Sequence, residues 1–90
     1  MKTYILNFKD KETPASMHDY LALMLELPKF YGRNLDALYD CLTSITTPTS
    51  ITIVNIDPDN AMHRRTLGVF KDAAADNERL RLQPGQDRWV

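Results

Sequence analysis

The run Ile51-Thr52-Ile53-Val54-Asn55-Ile56 is the clearest β-strand in the chain, and what lies on either side of it limits the folds available. β-Branched residues dominate it, as they do in strands that pack on a pleated surface. Upstream, Thr3 to Phe8 (Thr-Tyr-Ile-Leu-Asn-Phe) reads as a first strand that stops at the polar run Lys9-Asp10-Lys11-Glu12. Downstream, Leu80-Arg81-Leu82 alternates like a short half-exposed strand ended by Pro84-Gly85. The stretches between these three runs carry helical periodicity, so the order is strand, helix, helix, strand, helix, strand. Strands joined by helical crossovers favour a parallel sheet, and such crossovers are right-handed. The expected fold class is therefore α/β, a small three-stranded parallel sheet packed with about three main helices, with the strand order left open.

Each helix has its own start signal. Thr13 followed by Pro14 reads as an N-cap with proline at the first helical position, and Met17, Tyr20, Leu21, Met24 and Leu25 mark one apolar face up to about Glu26, before Pro28. Asp57-Pro58 reads the same way for a third helix carrying Met62, Leu67, Val69, Phe70, Ala73 and Ala74, with Asn77 as its stop. Gly68 weakens the middle of that helix by about 1 kcal/mol relative to alanine. His18 and His63 have no ligand-spaced partner, and neither is assigned a chemical role.

The second helix lies in the most informative stretch, Leu27 to Thr43. Pro28 and Gly32 punctuate a loop, and Asn34 stands where an N-cap belongs, so a helix begins near Leu35. Leu35, Leu38, Leu42 and Ile45, with Cys41 beside them, recur at three- and four-residue steps and form a core face. On the other face Asp36, Tyr39, Asp40 and Thr43 line up. Carboxylates four residues apart on a helix repel by roughly 0.2–0.5 kcal/mol. The helix dipole offsets this for Asp36, in the first turn, by about 0.3–1 kcal/mol, but does little for Asp40. Stability alone does not select this pair. Phe30, Tyr31 and Tyr39 ring it with large amphipathic side chains of the kind that anchor interfaces.

Composition narrows the partner. With 11 Lys and Arg against 12 Asp and Glu, the net charge of −1 gives no clustered basic excess for neutralising phosphates, so direct nucleic-acid binding is not expected. Acids gather instead at Asp36, Asp40, Asp72 and Asp76, and if these meet in space the partner is cationic. Ninety residues suit one domain, 1–90, able to bury roughly 60% of its unfolded surface, with about 84–90 a loosely held tail unless Trp89 packs down. The single cysteine excludes an internal disulfide and fits a reducing compartment, and Cys41 reads as a buried structural thiol. No run of 18 apolar residues suggests a membrane span, and Asp10 interrupts the N-terminal stretch before any signal-peptide core, so a cytoplasmic location is expected.

The motif Leu-Pro-x-x-Tyr-Gly-x-Asn-Leu-Asp-Ala-Leu-x-Asp-Cys-Leu-Thr, at residues 27–43, resembles the signature of the barstar family, intracellular inhibitors of secreted ribonucleases. The resemblance implies a barstar-like fold and a non-enzymatic inhibitor that plugs a cationic active site in a 1:1 complex, its acidic helix mimicking phosphate. Asp40 matches the central acid that enters the phosphate pocket, and Asp36 its flanking partner. Phe30 stands where the family usually has a tyrosine that packs on the enzyme's catalytic histidine, and Tyr39 replaces a tryptophan. Asn34 and Thr43 match unchanged. Val-Phe-Lys-Asp from Val69 resembles the family's third helix, with Asp72 in place of a glutamate that reaches a basic residue of the enzyme. Arg33 reverses a charge at the rim, and Ser44-Ile45 replace glycine and tryptophan of the best-known member. These departures bear on which nuclease is the target, and leave open an immunity protein against another nuclease toxin.

Two rival readings remain at this stage. Asp36 and Asp40 could hold Mg²⁺ or act as an acid–base pair in a small metal-dependent enzyme, but both uses need polar or cationic neighbours, and theirs are aromatic. There is no glycine-rich phosphate loop, no zinc-spaced Cys/His set and no nucleophile triad. No catalytic residue, metal or cofactor is therefore expected. The other rival is a regulatory interaction module that keeps the fold with a changed partner.

Overall fold

Thr49–Val54 (β2) is the middle strand of a three-stranded sheet, with Lys2–Asn7 (β1) on one side and Leu80–Gln83 (β3) on the other, both parallel to it. The computed structural model describes residues 1–83, so the expected tail from Pro84 onward, with Trp89, lies outside the described residues. Three helices complete the α/β fold: Pro14–Met24 (α1), Leu35–Thr43 (α2) and Ala61–Asp76 (α3).

Strand order follows chain order, and with right-handed crossovers this keeps every helix on one face of the sheet. The register shows it. Tyr4 aligns with Ile51 and Ile51 with Leu82, and Leu6 aligns with Ile53, so these side chains share the face that enters the core. On the same cluster α1 buries Met17 and Leu21, α2 buries Leu38 and Leu42, and α3 buries Phe70 and Ala73. The opposite face carries Thr3, Ile5 and Asn7 on β1, Ser50 and Thr52 on β2, and Arg81 and Gln83 on β3, with Ile5 exposed. Among the described residues no helix is long and apolar enough to cross a membrane.

Element boundaries depart from the sequence pattern where a left-handed residue or a side-chain bond intervenes. α1 ends at Met24 rather than near Glu26, because Glu26 sits at φ 53° and closes a two-bond C-terminal motif: its N–H donates to Leu23 O, and the Leu27 N–H donates to Ala22 O at 3.0 Å. β2 spans Thr49–Val54 rather than Ile51–Ile56, because Asn55 (φ 59°) turns the chain, while the Thr49 N–H is drawn into the sheet region by Arg79 O at 2.8 Å. α3 starts at Ala61, capped by Asn60, whose Oδ1 accepts from the His63 N–H at 3.0 Å. The expected cap, Asp57, instead accepts the Asp59 N–H and forms a separate turn with Pro58.

Both histidines are buried tethers. The Asp57 N–H donates to His63 Nδ1 at 2.9 Å, which leaves the proton on Nε2 to donate to Lys11 O at 3.1 Å. His63 thus pins the start of α3 to the chain after β1.

Candidate functional site

The loop before α2 is shaped by three short-range devices. The Tyr31 N–H donates to Pro28 O at 2.9 Å and closes a turn that sends adjacent rings in opposite directions: Phe30 is 87% exposed and Tyr31 only 7%. Tyr31 therefore does not ring the acidic pair, as its neighbours suggested. Its hydroxyl is hydrogen-bonded to Nδ1 of buried His18 on α1 at 2.6 Å. Burial, with a smaller push from Cys41, drives the Tyr31 phenol up to about 12 against the opposing charge of Arg33. Burial, then the Arg33 charge, holds His18 below its ordinary range, with Asp19 opposing. Gly32 follows where the chain passes close to α2: a Cβ there would stand 3.2 Å from Asn34 Nδ2 and 3.3 Å from Ala37 Cβ.

Arg33 has φ 54°, and its guanidinium pairs with Asp19 of α1. The reversed charge noted at the rim is thus balanced within the chain, by an exposed ion pair of the kind that contributes little stability. Asn34 caps α2 as expected. Its Oδ1 accepts from the Ala37 N–H at 2.8 Å and its Nδ2 donates to Gly32 O at 3.2 Å, so both ends of the side chain are engaged locally.

On α2, Asp36 and Asp40 are exposed one turn apart and Tyr39 is half-buried between α2 and α3. The Tyr39 hydroxyl donates to Asp76 on α3. That bond, then partial burial and the negative charges of Asp76, Asp72 and Asp40, holds the Tyr39 phenol above its ordinary range. Packing of α2 on α3 therefore brings Asp76 onto the Tyr39 hydroxyl and Asp72 near it, beside Asp40 of α2 itself, with Asp36 a turn earlier on the exposed face. Asn77, the C-cap of α3, fixes this arrangement from below by donating Nδ2 to Leu42 O and Ile45 O, both at 3.0 Å. Asn77 thereby ties the last turn of α2 and the residue after its C-cap to the end of α3. Asp72 lies one turn before Asp76 and is exposed. Thr43 directs its hydroxyl back along the helix, donating to Tyr39 O at 2.9 Å.

Beside Asp40 runs an open apolar groove of about 390 Å³, lined by Leu27, Pro28, Phe30, Cys41, Ser44 and Ile45. Cys41 is half-buried, not sealed in the core, and burial with the Asp40 charge holds its thiol above the ordinary range. Among the described residues no group of three or more His, Cys, Asp or Glu side chains is gathered to hold a metal ion. Asp76 bonds the Tyr39 hydroxyl, and the charges of Asp72 and Asp40 lie near enough to act on the same phenol.

The sequence model of one protein family, described as Barstar (barnase inhibitor), matches residues 1–84. The chain belongs to the barstar family. It is also 37% identical, over 73 residues, to a protein of Bacillus subtilis (strain 168) named "Putative ribonuclease inhibitor YrdF", a match that covers 80% of this chain and 76% of that relative. Barstar-family proteins are inhibitors and not enzymes, which removes the catalytic reading of Asp36 and Asp40. The barstar-family motif at residues 27–43 corresponds to the turn that follows α1, the Asn34 cap and α2 just described.

Sequence reasoning flagged Asp76 as an acid but did not place it in the site. Its i, i+4 spacing from Asp72 was the available signal. His18 and Asp19, which anchor the loop, gave none.

Proposed function

We propose that this barstar-family protein inhibits a secreted, barnase-type ribonuclease in a 1:1 complex, by presenting Asp40 to the cationic site that normally holds substrate phosphate. The observation that supports the reading most is that packing of α2 on α3 sets Asp72 and Asp76 of α3 beside Tyr39 and Asp40 of α2, with Asp76 bonded to the Tyr39 hydroxyl. A ribonuclease stabilises phosphoryl charge with cationic donors, and a carboxylate accepts charge-assisted, often bidentate, hydrogen bonds from the same groups. Asp36 and Asp72 flank the central acid, Phe30 supplies an exposed ring next to the groove, and Asn34 and Thr43 hold the loop and helix in shape. Opposite potentials speed such encounters, an effect for which this family's own complex is a standard example. We place the inhibitor in the cytoplasm, where a half-buried unpaired thiol such as Cys41 stays reduced.

The test is titration of the protein into a fluorogenic RNA-cleavage assay with a barnase-type ribonuclease, beside Asp40→Ala, at two salt concentrations. Stoichiometric inhibition that weakens with salt is expected, and Asp40→Ala should lose ~2 kcal/mol or more of binding, as central desolvated anchors do. Equal inhibition by Asp40→Ala would refute the plug. A second target is favoured by Ser44 and Ile45 on the wall of the groove beside Asp40. Absence of inhibition would direct the same acidic face to another nuclease toxin, as an immunity protein.

A further inference from the structure

The Tyr39–Asp76 hydrogen bond joins side chains 37 residues apart and links α2 to α3. α2 is nine residues long, and its other side-chain tie to the end of α3 comes from Asn77, at Leu42 and beyond. Leu38 and Leu42 hold the core side of α2 by packing; on the side that meets α3, the Tyr39–Asp76 bond adds a polar tie one turn before that of Asn77 and sets the fine placement of the exposed face. Asp40 follows Tyr39 directly and stands about 100° around the helix from it, so any rotation that moves Tyr39 redirects Asp40.

We infer that Asp76 is a positioning residue for the acidic face: it holds Tyr39 against α3 so that Asp40 and Asp72 present as one surface, and it commits the Tyr39 hydroxyl within the chain. A partner then meets Tyr39 through its ring and not through a hydrogen bond to the hydroxyl. The geometry stands by itself; only its use in binding rests on the ribonuclease-inhibitor reading.

Two measurements separate these parts. In the free protein, the phenol of Tyr39 is followed with ¹³C-labelled tyrosine by NMR across alkaline pH in wild type, Asp76→Ala and Asp76→Asn. The Tyr39 titration should move down toward that of an ordinary phenol in Asp76→Ala, and less in Asp76→Asn, whose amide oxygen still accepts the bond. In binding to a barnase-type ribonuclease, measured at raised salt to suppress long-range charge effects, Tyr39→Phe and Asp76→Ala should each weaken affinity about 3- to 10-fold. The double variant should be no weaker than the worse single one, and Asp76→Asn should recover most of the loss. An unchanged Tyr39 titration in Asp76→Ala, or losses that add in the double variant, overturns the inference. A shifted titration in a protein that does not inhibit the ribonuclease supports the positioning role and overturns the choice of partner alone.

Discussion

Thr66 offers the sharpest energetic prediction. It lies on the buried face of α3 with His63, Phe70 and Ala73, it is 0% exposed, and its Oγ1 is the one buried side-chain polar atom without a hydrogen-bond partner among the described residues. A hydroxyl buried without a partner costs about 1–3 kcal/mol relative to its hydrated state. Valine has nearly the same shape and the same branching at Cβ, and its helix propensity matches that of threonine, so the exchange leaves backbone and rotamer terms almost unchanged. It also replaces a stranded hydroxyl with a methyl group whose burial is worth roughly 0.8 kcal/mol. Thr66→Val should therefore stabilise the protein by about 1–2 kcal/mol, raising Tm by roughly 4–8 °C for each kcal/mol in a chain of this size. Urea and thermal unfolding followed by circular dichroism measure this directly. Thr66→Ser, which keeps the hydroxyl and loses the methyl, should move the other way. A valine variant no more stable than wild type would show that the hydroxyl has a partner after all, and the reasoning fails. Inhibition should be unaffected, since Thr66 faces the core.

Two further predictions use the same unfolding assays. A Cβ at Gly68 meets nothing within 4 Å, so Gly68→Ala should stabilise α3 by about 1 kcal/mol; a loss of stability would mean that the helix needs the gap. His18 is held below its ordinary range by burial and then by Arg33, so as pH falls the unfolded chain takes up this proton before the folded one. The stability that His18 gives as a neutral ring is whole above about pH 6.5, declines below it, and is lost once pH passes the folded value. The urea midpoint of wild type should drop more between about pH 7 and pH 5 than that of His18→Gln; parallel drops would exclude His18 as the group responsible.

Local signals carried most of the architecture. The strands, the three helices and the caps at Thr13 and Asn34 were legible because each depends on residues within one or two turns of itself. The parallel arrangement followed from the helices that join one strand to the next, and the acidic stripe of Asp36, Tyr39 and Asp40 from helical spacing alone. The cap of α3 was misplaced because Asp57-Pro58 and Asn60 both carry start chemistry, and only the contact of His63 with Asp57 and Lys11 selects between them.

What the tertiary structure decided concerns partners distant in the chain. Phe30 and Tyr31 are equivalent by sequence; the arrival of His18 beneath the loop sends one out and the other in. Arg33 loses its standing as a free rim charge because α1 brings Asp19 beside it. Asp76 enters the site only because α3 packs along α2 and offers a carboxylate to Tyr39, and Thr66 is stranded only because no acceptor arrives opposite it. Periodicity tells which face of an element is buried, since that is a property of the element. Which groups meet across the buried seam depends on the relative placement of two elements, and one strand or helix holds no information about that.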